Sequence, residues 1–410
     1  MSKLQELINK LCPNGVEFKK LKELAEIGTG SSDKKDANMN GKYPFFVRSK
    51  NIEKHNAFEF DEEAIIIPGE GGIGDIFHYI KGKYALHQRV YRIHFTCDSI
   101  NVKFAYYYLF AHFKSFIMKK AVSATVTSIR KPMIEDFFLP IPPIEVQEEI
   151  VRILDSFSDY AAELQAELQA RKQQYEYYRN LLLTFNPSAY GCGTDDEQKD
   201  GVTTWGGHNY KIEWKKLGDV FEMRNGYTPS KNNPKFWVGG TIPWFRMDDI
   251  RENGRILSDS IQHITPSAIK GKGLFEANSF ILATTATIGE HALIIADSLA
   301  NQRFTNLKVR KSLSNLLVTK FIYYYMFIID DFCKKNTNVS GFASVDMDKL
   351  KRMPFPIPPL ELQEKIVAIL DRFETLVNDL TNGLPAEIAA VKDQYEYYRN
   401  KLLTFKKLSA

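Results

Sequence analysis

The sequence predicts an α/β (α+β) fold made twice over: two similar globular parts, each followed by a long helix. Three observations predict it. The phrase QYEYYRN occurs at Gln174–Asn180 and again at Gln394–Asn400. Ahead of it, in the same order, stand PIPPIEVQEEIV (140–151) and PIPPLELQEKIV (356–367). Between these anchors apolar residues recur at steps of four and three, the spacing of a heptad seam.

The duplication reaches upstream into the globular parts. VEFKKLKELAEIGTG (16–30) matches IEWKKLGDVFEMRNG (212–226), and YPFFVRSKNI (43–52) matches IPWFRMDDI (242–250). HQRVYRI (87–93) matches NQRFTNL (301–307), and KFAYYYLF (103–110) matches KFIYYYMF (320–327). An ordered series of such matches marks an internal repeat. The first globular part, 1–142, and the second, 208–357, carry short β-rich runs such as AIIIP (64–68), RVYRIHF (89–95) and SFILATT (279–285) between Gly, Asn and Pro turns. Residues 186–207, rich in turn formers and poor in core residues, read as a linker.

The first helix is placed at 143–185. Its seam runs Ile150, Leu154, Phe157, Ala161, Leu164, Leu168, Arg171, Tyr175, Tyr178, Leu182, apolar but for Arg171. The second, 358–405, runs Ile366, Leu370, Phe373, Val377, Leu380, Leu384, then Ile388, Val391, Tyr395, Tyr398, Leu402. The step between copies grows from 216 to 220 residues, so the second helix holds a four-residue stutter near Leu384. NGLP (382–385) is a candidate break there, because Pro385 lacks the donor a helix interior needs. Pro142–Pro143 and Pro358–Pro359 start the helices. A seam needs a partner, and the obvious partner for each helix is the other. The first helix also contains a tandem AELQAELQ (162–169), a length by which a helix can change while keeping its seam nearly on one face.

The bulk numbers exclude several classes. No run of 18 apolar residues is present, and MSKLQELINKLCPNG is not a signal peptide. Cys12, Cys97, Cys192 and Cys333 form no C-x-x-C pair, as expected of reduced thiols in a cytoplasmic protein. The eight histidines do not cluster, so no metal site is expected. The net charge of +4 is unevenly distributed: 1–142 carries +5 and 208–357 carries +7, against −7 for 143–207 and −1 for 358–410. Two basic globular parts suit a polyanion, and the acidic to neutral helices suit protein partners.

Catalytic motifs are missing. GEGGIG (69–74) fits G-x-G-x-x-G, but the residues after it read as strands rather than the helix that would hold a pyrophosphate. The second half has TTATIG (284–289) in its place, so a tight turn is the better reading. NNPKF (232–236) lacks the second Pro of the N-P-P-F/Y sequence of amino-methyltransferases, and no P-loop is present. HALIIAD (291–297) reads as core rather than as part of a triad.

Two basic domains, each ending in PIPP-x-E-x-QE and a helix closing on QYEYYRN-x-LLTF, resemble the specificity subunit of type I restriction-modification enzymes over nearly the whole chain. The resemblance implies that each globular part is a target recognition domain reading one half of a split double-stranded DNA site. It implies that the helices form an antiparallel coiled coil about a pseudo-two-fold axis, holding the domains apart and binding two modification (methyltransferase) subunits. Restriction subunits, carrying translocase and nuclease activity, would join that core. Methyl transfer and cleavage would then belong to the partners, leaving this chain non-catalytic and without a cofactor. Two other classes stay open: a self-contained DNA-modifying enzyme, marked by turnover of the isolated chain, and a coiled-coil adaptor, marked by the lack of salt-dependent DNA binding.

Within this frame, candidate partner-facing residues are Tyr175, Tyr177, Tyr178 and Arg179 with Tyr395, Tyr397, Tyr398 and Arg399, since aromatics and Arg are enriched in interface cores. The seam positions among them also suit plain coiled-coil packing. Residues shared between the halves, Gln88–Arg89 and Gln302–Arg303, suit framework or phosphate contacts, which carry no sequence information. Loops that differ are candidate base readers: Arg48, Ser49, Lys50 and Asn51 against Arg246, Asp248 and Asp249. Arg and Lys favour guanine, Asn adenine, and Asp accepts from cytosine. SATVTS (123–128), with Thr125 and Thr127, faces SGFAS (340–344), with Ser340 and Ser344, both rich in small donors.

Overall fold

Heptad spacing and the prolines ahead of it give the most regular element, a central helix spanning Ile144–Thr184 without interruption. The computed structural model describes residues 3–120, 128–185, 202–271, 273–338, 343–379 and 382–408. The chain divides into two compact units, one made of residues 1–166 and 386–410, the other of residues 167–385. The border within the central helix falls inside the second AELQ copy, after its first residue, Ala166.

In unit 1 a six-stranded sheet has the order Ala25–Thr29, Val90–Phe95, Phe60–Pro68, His78–Leu86, Tyr43–Phe46, Ile52–His55. All its pairings are antiparallel except Tyr43–Phe46 with His78–Leu86, which is parallel through Phe45↔Ala85 and Phe46↔Leu86. The helix Val102–Lys120 lays Ala105, Leu109, Phe113 and Ile117 over Ile65, Ile67 and Ile93 of the sheet. These helix residues recur at steps of four, so one face is apolar.

Unit 2 repeats this plan with one cut and one added strand, Ile256–Leu257. Phe221–Asn225, Phe304–Val309, Ser279–Ala283, His291–Ile294 and Ile256–Leu257 form a five-stranded sheet. His263–Ile264, Ile242–Phe245 and Leu299–Ala300 form a separate three-stranded one, again with a parallel pair, Trp244↔Leu299 and Phe245↔Ala300. The place of the single strand His78–Leu86 is taken by His291–Ile294 and Leu299–Ala300, with a bend between them. That bend splits one sheet into two.

Two sequence expectations change. The second long helix is two helices, Leu360–Asn378 and Leu384–Leu402. Asp379 leaves the helical conformation as the C-cap, and Gly383 lies against the carbonyls of Thr375, Leu376 and Asp379, closer than a Cβ could come. The end of the supposed linker is a hairpin, Val202–Trp205 paired with His208–Lys211 around Gly206–Gly207. The alternation T-T-W-G-G-H-N-Y carried that signal. GEGGIG forms the turn between Phe60–Pro68 and His78–Leu86, and HALI is a fully buried strand in which His291 Nδ1 lies 2.6 Å from the Asp330 carboxylate.

Candidate nucleic-acid interface

In unit 1 three loops separated in sequence meet at one end of the sheet. The first follows Tyr43–Phe46 and exposes Arg48, Lys50 and Asn51, while half-buried Ser49 donates its hydroxyl to the Asn51 carbonyl at 3.0 Å. The second is the turn carrying exposed Gln88 and Arg89, fixed by Gln88 N–H donating to Ser32 O (2.9 Å) and Arg89 N–H to His87 Nδ1 (3.0 Å). The third is the Gly69–Gly74 turn. Gly69 N–H donates to Arg89 O at 2.9 Å, and a Cβ on Gly69 would lie 2.9 Å from that same oxygen. Gly71, at φ 79°, would place a Cβ 2.8 Å from Arg48 O. Only glycine allows both approaches. Between them Glu70 accepts from Arg48 Nη1 (2.8 Å) and Arg89 Nη1 (3.1 Å). Hydrogen bonds from Arg48 first, then Arg89, hold its carboxyl below the usual carboxylate range.

Unit 2 builds the matching place differently. Arg246 follows the strand Ile242–Phe245 and caps the helix Met247–Asn253. Exposed Asp248 lies 3.8 Å from Arg246. Asp249 is fully buried, accepting from the N–H groups of Arg246 and Ile261 at 2.6 Å each. This corrects its assignment as a base reader: both carboxylate oxygens are committed to the backbone, and none of the side chain is accessible. Gln302 and Arg303 are exposed, and the Thr228 hydroxyl donates to the Gln302 amide oxygen. With Lys231, Arg246 and Arg251 they line a cleft of about 340 Å³ in which Asp248 is the one carboxylate among the described residues. Ser344 is half-buried in a short strand bridged to Thr285. Thr125, Thr127 and Ser340 lie outside the described residues. Among the described residues no His/Cys/Asp/Glu group could hold a metal.

The QYEYYRN phrases have a structural use that corrects part of their partner-facing assignment. Arg179 is buried with its guanidinium 4.0 Å from the centre of the Phe327 ring, and Tyr175 is buried beside it. In unit 1 Arg399 lies 5.4 Å over Phe110, with half-buried Tyr395 beside it. Tyr178 stacks on Phe373 at 5.8 Å and Tyr398 on Phe157 at 5.5 Å, so these seam residues serve the helix pairs. Each phrase therefore seats a helix on the helix of a globular part: the first copy on Thr319–Lys335, the second on Val102–Lys120. Most outward are Tyr177 (63% exposed) and Tyr397 (61%), while Tyr178 and Tyr398 keep a smaller exposed part beside their stacking partners.

Sequence reasoning missed the residues that join each globular part to its own helix. Gln147, fully buried, accepts from Asn101 N–H (2.8 Å) and donates to the carbonyls of Ser99 (2.8 Å) and Pro142 (2.7 Å). Gln363 makes the same three bonds, with Val318 N–H (2.8 Å), Leu316 O (2.8 Å) and Pro358 O (2.7 Å). Lys103 and Tyr107 meet Asp155 at 2.7 Å each, as Lys320 and Tyr324 meet Asp371. The signal was the repeated Gln of PIPP-x-E-x-Q and the repeated K-F-x-YYY.

Residues 13–171 and 210–390 match the family described as type I restriction modification DNA specificity domain. The chain is similar to the type I restriction enzyme EcoprrI specificity subunit of Escherichia coli, 52% identical over 203 residues, covering 48% of this chain and 51% of that protein. It is also similar to the EcoR124I/EcoR124II specificity subunit of Escherichia coli, 38% identical over 277 residues, covering 65% and 61%. The chain thus spans about half and three-fifths of the length of these two relatives. A putative type I restriction enzyme specificity subunit of Haemophilus influenzae is 28% identical over 95% of this chain and 96% of its own. Among solved structures, one on complex assembly and conformational transition of the type I R-M system has a TM-score of 0.62 at 15% identity, covering 95% of this chain and 98% of that one. The HsdS subunit of Thermoanaerobacter tengcongensis has a TM-score of 0.53 at 15% identity, covering 96% and 97%. At these identities the likeness is one of fold.

Proposed function

The chain belongs to the type I restriction modification DNA specificity family, and from that premise we propose that it reads a bipartite double-stranded DNA site for a restriction-modification complex. Residues 1–142 and 208–357 act as two target recognition domains. The observation that carries the reading is the arginine pair repeated at matched loops, Arg48 with Arg89 and Arg246 with Arg303, on two separately basic globular parts. Lys50, Asn51, Gln88 and Gln302 extend these surfaces; Ser49, Asp248, Ser344, Thr125, Thr127 and Ser340 are further candidate contacts. The chain itself catalyses nothing: methyl transfer and cleavage are the work of modification and restriction subunits in the cytoplasm. Two modification subunits dock on the outward aromatics at the helix ends, Tyr177 and Tyr397, one copy at each.

Binding of the assembled complex to its site is expected to weaken steeply with salt, with a log–log slope of about −0.9 for each phosphate contacted. A complex that binds DNA without sequence preference would overturn the proposal. Tyr177→Ala should weaken one docking position on the order of 2 kcal/mol, so that native mass spectrometry shows a species with one modification subunit accumulating. Unaltered assembly would move the docking surface elsewhere.

A further inference from the structure

We propose that Glu70, held between Arg48 and Arg89, is the specificity-determining residue of unit 1, reading a G·C base pair in the major groove. The proposal rests on the reading that these loops face DNA, and it reassigns Arg89, which its repetition in Arg303 had suggested for phosphate or framework. The geometry separates the two roles. A phosphate site gathers cations and donors; a carboxylate set 2.8 Å and 3.1 Å from both guanidiniums repels a phosphate that would approach either. A base-edge site has the opposite need. A G·C pair offers two acceptors, guanine O6 and N7, beside one donor, the cytosine amino group. Arg suits the first and an ionised Glu the second. Unit 1 presents this mixture, two donors flanking one acceptor, all partly accessible: 41% for Arg48, 35% for Glu70, 58% for Arg89.

The placement is built into the turn. Gly69 and Gly71 let the Glu70 backbone approach the carbonyls of Arg89 and Arg48 more closely than any other residue could. Ile129 N–H also donates to Gly69 O at 2.7 Å, fixing the turn from a fourth segment. Such bracing holds a reading group in place before DNA arrives. The matching position in the second half is Thr285, and the carboxylate beside the Arg246 guanidinium there, Asp248 at 3.8 Å, comes from a different segment, so a Glu70 variant leaves unit 2 as an internal control.

The test uses the full complex with its modification subunits in a host, and reads its methylated sites by sequencing. Glu70→Gln keeps the shape of the side chain but supplies an amide, which pairs with adenine N6 and N7. One G·C position of the first half-site is expected to relax toward A·T, with discrimination falling on the order of 10- to 100-fold, while the second half-site stays the same. Glu70→Ala should relax the same position without the shift toward A·T. An unchanged site for both variants overturns the proposal. So does a uniform loss of methylation with unchanged base preference, the result expected if Glu70 only braces the loops. Relaxation at an A·T position, or in the second half-site, overturns it as well. Failure of the underlying reading looks different: the wild-type complex would then keep its first half-site after residues 1–142 are exchanged for those of a relative.

Discussion

Near the start of the central helix, Glu149 is buried beneath Lys3 (3.0 Å) and Arg152 (2.7 Å). At the matching position of the second half stands Lys365, which pairs with Glu361 (2.6 Å) and donates to the hydroxyl of Tyr210 (3.2 Å). The charge is reversed because the cover is different: an N-terminal helix, Lys3–Leu11, in unit 1 and the hairpin Val202–Lys211 in unit 2. Two residues earlier the two halves are identical, Gln147 and Gln363 making the same three bonds. The difference teaches where duplication is free to drift. A buried amide that satisfies two carbonyls and an N–H has no substitute of the same shape, whereas an ion pair under a replaceable cover can change sign together with its partner.

The bluntest way to sharpen this comparison is exchange. Replacing residues 1–142 by the same part of a relative should change one half-site completely and leave the other untouched, read from methylated sites. If both changed, the two units would not read independently. Next comes the repeated lock. Gln147→Ala and Gln363→Ala should each cost about 3 kcal/mol, because each strands one buried N–H and two carbonyls. Chemical denaturation should show the loss in one unit at a time. Equal and small losses in both would mean that water replaces the amide.

The helix seats should be unequal. Arg179 lies nearer its ring than Arg399 does, 4.0 Å against 5.4 Å, and is the more deeply buried. Arg179→Ala should therefore cost about 2 kcal/mol and Arg399→Ala about 1 kcal/mol, compared by thermal unfolding. A larger loss at Arg399 would reverse the ranking. Smaller still is the expected effect of deleting Ala166–Gln169. Four helical residues advance about 6 Å and turn about 40° past a full turn, and one base pair advances about 3.4 Å. Both half-sites should survive with a shorter gap between them and some loss of affinity. An unchanged gap with normal methylation would free the helix length at this point from any role in spacing.

A last effect divides the units by pH. Arg152 first, then Lys3, lower the Glu149 carboxyl from 4.5 to about 2. Its contribution to stability is complete above about 4.5 and is lost as the pH falls toward 2. Glu361 first, then Tyr210, raise the Lys365 ammonium above its ordinary value, so that contribution is complete below the ordinary lysine range and fades as the pH rises through the raised value. Glu149→Gln should flatten only the acid limb of stability against pH, and Lys365→Met only the alkaline limb.

Much of this was legible in the sequence because it was written twice. The repeat located both globular parts and the heptad seams, and Arg48, Arg89, Arg246 and Arg303 are exposed or half-buried where matched loops placed them. Asp249 was misread because its neighbour Asp248 is exposed, while the first turn of the helix Met247–Asn253 points the next carboxylate back at its own N-terminus. Arg179 was misread because a guanidinium over an aromatic ring inside a protein leaves no periodic trace; Phe327 is 148 residues away in the chain. The break was foreshadowed by NGLP, but the first helix already ends at Asn378, and Pro385 stands in the first turn of the next, Leu384–Leu402.

The seating of each helix on a globular part also sets a timetable. Unit 2 is one continuous stretch, 167–385, whereas unit 1 needs residues 386–410 to be complete. Phe104 waits for Phe405, Phe110 for Arg399, and Val16 for the backbone of Lys406. At a synthesis rate of about 5–20 residues per second, that wait lasts roughly 15–60 s. The part of the protein made first is thus finished last. During that interval its aromatic seat stands open on the ribosome, the stage at which a chaperone or a stray helix could occupy it.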